Sequence, residues 1–162
     1  MDRVVGKLAI LGMTIALLCL VGGDALAKDP TRPYRARSAG MVTAAALECD
    51  GWGDLVEETG NATHLGRYEA TACVFVAGIP DPPTLVPNAG YGVVTAANGD
   101  LLYISFTGTT DVSGAIWVLN FKITIDGGTG RFANAAGQFD YVATRPAAAP
   151  PYTASALGTI AY

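Results

Sequence analysis

The sequence predicts an all-β protein that forms a single antiparallel barrel of about eight strands. Runs of strand length with alternating apolar and polar residues recur along the chain, and glycine, asparagine and proline separate them. No segment after the N-terminus shows a capped amphipathic helix. Seven or eight strands fit either a sandwich or a closed barrel. A barrel is favoured because no strand carries the lysine or the inward-pointing charge that usually protects an exposed sheet edge from pairing.

Residues 1–27 have the pattern of a secretory signal peptide. Arg3 and Lys7 give a basic start, an apolar run follows, and Ala25-Leu26-Ala27 fits a cleavage site between small residues. The apolar run is short for a membrane span, which needs about 20 residues. We therefore expect a mature domain of residues 28–162, located outside the cell or in the periplasm, with no stable membrane span after cleavage.

The charge pattern argues against a nucleic-acid partner. The formal net charge is −4, and the only basic stretch is the sparse Lys28, Arg32, Arg35 and Arg37. Such a stretch is typical of a solvated tail, because nucleic-acid binding needs clustered lysine and arginine.

Two cysteines remain after residue 27, Cys49 and Cys73. An even number in an oxidising compartment predicts a disulfide. If the strand before Cys49 formed a simple hairpin with the strand leading to Cys73, the two would lie about 30 Å apart, too far for a bridge. Either the intervening segment folds back, or those two strands are not neighbours. Two buried thiols remain the alternative.

The first half of the chain is expected to contain two strands and two long connections. Residues 35–48 form a weak strand and residues 50–61 an acidic, glycine-containing connection. Residues 63–77 form a clear strand, in which Tyr68 shares a face with Ala70, Ala72, Val74 and Val76. Residues 78–90 contain four prolines and are expected to be a loop, or a lid over one mouth of the barrel, because proline does not fit a central strand.

The second half contains the strongest strand signals. Residues 91–97 and 101–109 form a hairpin, and Asn98-Gly99 between them suits a two-residue type I′ turn. Residues 115–126 place Trp117 on one face together with Leu119, Phe121, Ile123 and Ile125. Residues 138–144 and 153–162 form the last two strands, and the final strand is expected to pair back and close the sheet.

Gly127-Gly128-Thr129-Gly130-Arg131-Phe132 lies between two of these strands. A phosphate-binding glycine loop precedes a helix, and the segment that follows here is too short for one. We expect a structural corner with a positive φ at Gly128 or Gly130. Arg131 is expected to fix that corner by donating to carbonyls or to a carboxylate such as Asp126.

Three segments together resemble a group of small secreted bacterial proteins with an allene-oxide-cyclase-like, or dirigent-like, β-barrel. They are Gly60-Asn61-Ala62-Thr63-His64-Leu65-Gly66-Arg67, Ala96-Ala97-Asn98-Gly99-Asp100, and the glycine corner followed by Ala135-Ala136-Gly137. The resemblance covers residues 60–162. It implies a calycin-like antiparallel barrel with a lumen. Barrels of that kind include cyclases and stereochemical guides that act on hydrophobic small molecules. The shared motifs are turns, so the resemblance supplies no catalytic residue.

Conventional catalytic and metal sites have little support. His64 is the single histidine and is either an acid or base or a residue that binds a backbone carbonyl at a strand start. One histidine and no Cys-x-x-Cys motif argue against a zinc site. No Gly-x-Ser-x-Gly motif marks a serine hydrolase. The sequence indicates no cofactor.

Aromatic side chains give the best candidate site. We expect a lumen that binds a small hydrophobic molecule, because aromatic rings supply apolar area together with hydroxyl or indole groups. Tyr103 and Phe106 lie on opposite faces of one strand, so both can face the lumen only through a bulge. A cyclase-like enzyme that folds a substrate in the same lumen is one alternative, and a filled, non-catalytic structural barrel is another. The candidate ligand-binding residues are Tyr68, Tyr103, Phe106, Trp117, Tyr141 and His64.

Overall fold

A computed structural model describes residues 30–44, 46–78, 84–147 and 149–162. The described chain forms one closed barrel of eight antiparallel strands, each paired with the next, and β8 pairs with β1. The strands are β1 (Arg32–Thr43), β2 (Asp54–Ala62), β3 (Gly66–Val76), β4 (Leu85–Thr95), β5 (Leu101–Asp111), β6 (Ile116–Gly128), β7 (Ala136–Pro146) and β8 (Tyr152–Ala161). The predicted all-β class and the closure by the last strand are confirmed. The predicted signal peptide, residues 1–27, lies outside the described residues.

The expected connection over residues 50–61 is wrong, because most of it is strand β2. Its inward positions are occupied by Val56, Glu58 and Gly60, and only the first of these is apolar. A carboxylate and a glycine on the core face interrupt the usual alternation of apolar and polar residues. The sequence of this segment therefore resembles that of a loop.

The expected loop over residues 78–90 is also wrong at its C-terminal end, where β4 begins at Leu85. Pro87 lies within this strand, opposite Thr109 of β5. In an antiparallel strand, the N–H and C=O positions of one residue both point toward the same neighbouring strand. Those of Pro87 point past the end of β3, where its carbonyl accepts from the Ala77 N–H at 2.8 Å. The missing N–H therefore costs no hydrogen bond to β5. The remainder of the suggested lid, residues 79–83, lies outside the described residues.

The hairpin of β4 and β5 is confirmed, but its turn differs from the predicted type. The Gly99 N–H donates to the Ala96 carbonyl at 2.9 Å. Gly99 has φ +86°, whereas Asn98 does not have a positive φ. A type I′ turn needs positive φ at both central residues. The observed arrangement is the three-residue loop in which glycine follows a type I turn and forms a bulge. Asn98 instead binds the Asp100 carboxylate through its side-chain amide at 2.7 Å.

The Cys49–Cys73 disulfide is confirmed, with the two Cα atoms 5.4 Å apart. The geometric objection disappears because β1 and β3 are not neighbours and β2 lies between them. After β1 the chain makes a short 3₁₀ turn, Leu47–Cys49, at the start of β2. Cys73 lies directly opposite Leu55 near the same end of β2. By loop closure alone such a bridge contributes about 3.5 kcal/mol.

The glycine corner closes one end of the barrel. Gly127 and Gly130 have positive φ values of +119° and +53°. Gly128 does not, but an added Cβ there would lie 2.0 Å from the Leu101 carbonyl oxygen. A short 3₁₀ turn, Gly130–Phe132, follows and buries the Phe132 ring completely.

Arg131 fixes this corner as expected, although its partners differ from the suggested Asp126. Its guanidinium donates to the His64 carbonyl at 2.5 Å, and its backbone N–H donates to the Asp100 carboxylate at 3.2 Å. The three segments that carry the family resemblance therefore meet at one end of the barrel. We call it the closed end; its buried side chains include Leu65, Leu102, Phe132 and Ile160.

We predict that Gly128→Ala and Gly130→Ala each destabilise the barrel by about 1 kcal/mol or more. At Gly130 the added Cβ would also meet the Asp100 carboxylate, 2.0 Å away. The measurement is the free energy of unfolding in denaturant. Gly114→Ala is the matched control, because its φ is not positive and its nearest neighbours lie at 3.7 Å or more. That variant should stay within about 0.5 kcal/mol of wild type. Wild-type stability together with lost ligand binding in the corner variants would show that the corner is a ligand site.

Candidate functional site: the lumen around Glu58

Aromatic rings on the inner wall are accommodated by glycines on the adjacent strands. In each case an added Cβ on the glycine would come within 3 Å of the ring or side chain of its cross-strand partner. Four of these contacts are with ring atoms, so the rings of four of the partners lie over the neighbouring strand, whereas the contact of Phe139 is through its Cβ atom. The pairs are Gly40 with Tyr152, Gly60 with Tyr68, Gly90 with Phe106, Gly108 with Phe121, and Gly158 with Phe139.

The space left inside the barrel is a cavity of about 90 Å³ with almost entirely apolar walls. This is smaller than the few hundred Å³ typical of a drug-sized ligand site. The lumen is nevertheless not filled. Since one water needs roughly 10–15 Å³ in this measure, the cavity has room for on the order of six to nine water-sized atoms. Its lining includes Tyr34, Val56, Glu58, Tyr68, Ala72, Phe106, Phe121, Tyr141, Arg145 and Tyr152.

The most unusual group in the cavity is the carboxylate of Glu58, which is only 9% exposed. It accepts hydrogen bonds from three tyrosine hydroxyls: Tyr68 at 2.6 Å on Oε1, and Tyr141 at 2.5 Å and Tyr152 at 2.8 Å on Oε2. These tyrosines belong to β3, β7 and β8, so the hydrogen bonds connect β2 with three other strands. We call this group the Glu58–tyrosine cluster.

Within the described part of the chain no cation forms an ion pair with Glu58. The salt bridges there are Lys122–Asp140 and Arg131–Asp100, and both lie elsewhere. A buried charge is costly unless hydrogen bonds or an opposite charge compensate it. In this protein neutral phenol groups supply the compensation, and such hydrogen bonds to a charged acceptor are stronger than those between neutral groups.

The same arrangement keeps the tyrosines protonated. Burial, and then repulsion from the Glu58 carboxylate, raise the pKa of Tyr34, Tyr68, Tyr141 and Tyr152 well above the usual value. Each hydroxyl in the cluster is therefore a donor across the physiological pH range. The cavity thus offers fixed O–H groups, one carboxylate and aromatic walls.

The opposite end of the cavity from the closed end contains its only described cation, the Arg145 side chain. Its guanidinium lies over the Trp117 ring, 4.4 Å from the ring centroid. Arg145 and Tyr141 share a face of β7 four residues apart, which corresponds to about 13 Å along the strand. We call this end the open end. Near it, the buried Thr110 hydroxyl donates to the Asn88 side-chain carbonyl at 2.7 Å.

The structure brings together some of the predicted ligand-binding residues and separates others. Tyr68, Phe106 and Tyr141 line the cavity, and Trp117 lies under Arg145 at the open end. Tyr103, 39% exposed, is on the outer surface because β5 alternates regularly. The bulge beside it inserts the extra residue into β6 instead, since Tyr103 pairs with Gly127 and Ile104 with Ile125.

His64 lies at the closed end rather than among the cavity residues. It has φ +71° in the turn between β2 and β3. Its Nε2 is 3.0 Å from the Pro33 carbonyl oxygen. This agrees with the alternative in which His64 contacts a backbone carbonyl beside a strand start rather than acting as an acid or base.

Sequence reasoning missed three residues of the site, namely Glu58, Tyr34 and Tyr152. Glu58 was passed over because its strand reads as a loop. Its spacing with Val56 and Gly60 was the available signal, since all three share one face. Tyr152 directly follows Pro151, and the last strand was expected to begin one residue later.

Other site types find no support in the described residues. They contain no cluster of three or more histidine, cysteine, aspartate or glutamate side chains that could hold a metal ion. None of the described segments is a helix with the length and apolar character needed to cross a membrane.

Comparison of the chain with protein-family models, with curated proteins and with solved structures finds no match. The function must therefore be argued from the cavity itself.

We predict that Tyr152→Phe destabilises the protein by about 1.5–3 kcal/mol, the usual effect of a lost hydrogen bond to a charged group. The ring that packs over Gly40 is retained, so the effect isolates the hydroxyl. Denaturant unfolding measures it. Tyr103→Phe removes an exposed hydroxyl on the outer face and should change stability by less than about 0.5 kcal/mol. Equal effects from the two variants would contradict the role assigned to the cluster.

We also predict that the barrel loses stability as the pH rises above about 10, the usual pKa of tyrosine in an unfolded chain. A pKa raised by folding means that the unfolded state releases protons first. The contribution of these tyrosines to the stability of the barrel is therefore complete below that pH and is lost above it. Unfolding followed by circular dichroism at a series of pH values measures the slope. Tyr152→Phe should reduce the slope, and Tyr103→Phe should leave it close to wild type.

Proposed function

We propose that the protein is a secreted or periplasmic barrel that binds a small, largely apolar molecule in its lumen. The single observation that carries the proposal is a cavity with apolar walls that contains a buried, hydrogen-bonded carboxylate. Binding sites for small molecules commonly combine apolar walls with a few convergent polar groups. Location outside the cytoplasm is supported by the disulfide and by the signal-like pattern of residues 1–27.

The cost of burying Glu58 supports a binding role over a purely structural one. If the barrel needed only a packed core, a carboxylate at this position would be a disadvantage, since apolar residues of similar size are often as stabilising as buried charges. The five glycine–aromatic pairs keep the lumen open where larger side chains would fill it. Both features are costs to stability that a ligand site explains.

A cyclase-like enzyme is the second candidate, because a titratable side chain does point into the lumen. Glu58 could move a proton to or from a bound substrate, and the tyrosine hydroxyls could hold developing negative charge. Binding remains the first choice because three tyrosine hydroxyls already donate to the carboxylate, which leaves few of its lone pairs free to take a proton from a substrate.

The test is native mass spectrometry of the protein purified from its natural source. We predict a retained small molecule in wild type. Ala72→Leu, which narrows the cavity, should lose it, while Val142→Leu on the outer face should keep it. A wild-type protein that retains nothing and shows no binding to a metabolite extract would contradict the proposal.

The same experiment separates the two candidates. Incubation with the released molecule or its precursors should leave their masses and structures unchanged if the barrel only binds. Conversion by wild type that Glu58→Gln abolishes, while binding persists, would favour the enzyme.

A further inference from the structure

We propose that the ligand of the lumen is a small organic cation, with an amine or quaternary ammonium group held beside Glu58 and among the aromatic rings. This inference rests on the proposed function, because it names the chemical class of the molecule bound there.

The first argument is the charge of the cavity. Glu58 has no cationic partner within the described residues, and neutral phenols cannot cancel its charge. A carboxylate offers about four lone-pair positions, of which the three tyrosines use three. A cation that enters the cavity would meet a negative charge that hydrogen bonds stabilise but that no opposite charge neutralises, in surroundings that screen it poorly.

The second argument is the arrangement of the rings. Phe106, Phe121 and Tyr141 form a stacked row along the wall, with ring centroids 5.3 and 6.2 Å apart and the last two rings only 9° from parallel. The Phe106 and Phe121 rings lie over Gly90 and Gly108 of the adjacent strands, and all three rings line the cavity. Aromatic faces attract cations, and cages of such rings recognise quaternary ammonium groups.

The third argument is size. The cavity has room for on the order of six to nine water-sized atoms, which suits a compact amine. A long-chain lipid would fit only if the aromatic rings moved. A compact ammonium group can contact several ring faces and the carboxylate at once.

Arg145 is the charge that opposes a cation in this cavity. It lies at the open end, about 13 Å along β7 from Tyr141, and its guanidinium is already stacked on Trp117. At the open end, solvent and salt screen its repulsion more than they screen a contact with the buried Glu58 carboxylate. Arg145 therefore weakens binding of a cation without preventing it.

The experiment compares three probes of nearly the same shape by isothermal titration calorimetry. Choline is the cation, 3,3-dimethylbutan-1-ol is its neutral analogue with carbon in place of nitrogen, and 3,3-dimethylbutanoate is the anion. Wild type should bind choline at least about tenfold more tightly than the alcohol, and the anion should bind most weakly. Glu58→Gln keeps the shape of the side chain and removes its charge, so it should abolish this preference and bring the affinities for choline and for the alcohol within about twofold of each other.

A second variant keeps the test informative if Glu58→Gln does not fold. Arg145→Gln removes the opposing charge and should increase the preference for choline over the alcohol by between about twofold and tenfold. Equal binding of choline and the alcohol to wild type, or preference for the anion, would overturn the inference while leaving the binding function intact. Failure of all three probes together with a retained molecule that carries no positive charge would also overturn it. If none of the probes binds and no molecule is retained, the proposed function fails together with the inference.

Discussion

A single buried carboxylate organises the interior of this barrel. Glu58 lies on β2, and the hydroxyls that bind it come from β3, β7 and β8. The hydrogen bonds therefore connect strands on both sides of the closure between β1 and β8. The cost of burying the charge is offset only if all three phenols keep their positions. That requirement fixes the rings, and the rings in turn need the glycines that face them, such as Gly40 and Gly60.

The two ends of the barrel differ in the side chains that they contain. The closed end is held by Arg131, which binds the turn at His64 and the carboxylate of Asp100, and the Phe132 ring fills the space beneath. The resemblance motifs all lie there, so they describe how such a barrel is closed rather than what it binds. The chemistry lies between this end and Arg145, in side chains that those motifs do not include. This separation agrees with the general rule that one fold can carry many functions.

The disulfide lies on the outer face of the barrel wall. Cys49 and Cys73 attach the chain after β1 to the outer face of β3, beside the contact of Trp52 with Phe75, whose ring centroids are 4.5 Å apart. By loop closure the bridge constrains the unfolded chain, and neither cysteine lines the lumen.

The sequence by itself determined the all-β class, the residues that share a face in β3 and in β6, the corner at Gly130 and the closure by the last strand. These features follow from alternation over several residues and from turn residues with local conformational demands. Only the tertiary structure decided that residues 54–62 are a strand and that Glu58, Tyr68, Tyr141 and Tyr152 meet. A carboxylate on a core face contradicts the local pattern, and its partners come from positions 10 to 94 residues away. Periodicity reports which residues share a face, whereas contact across a lumen depends on barrel closure and strand register, which no local pattern contains.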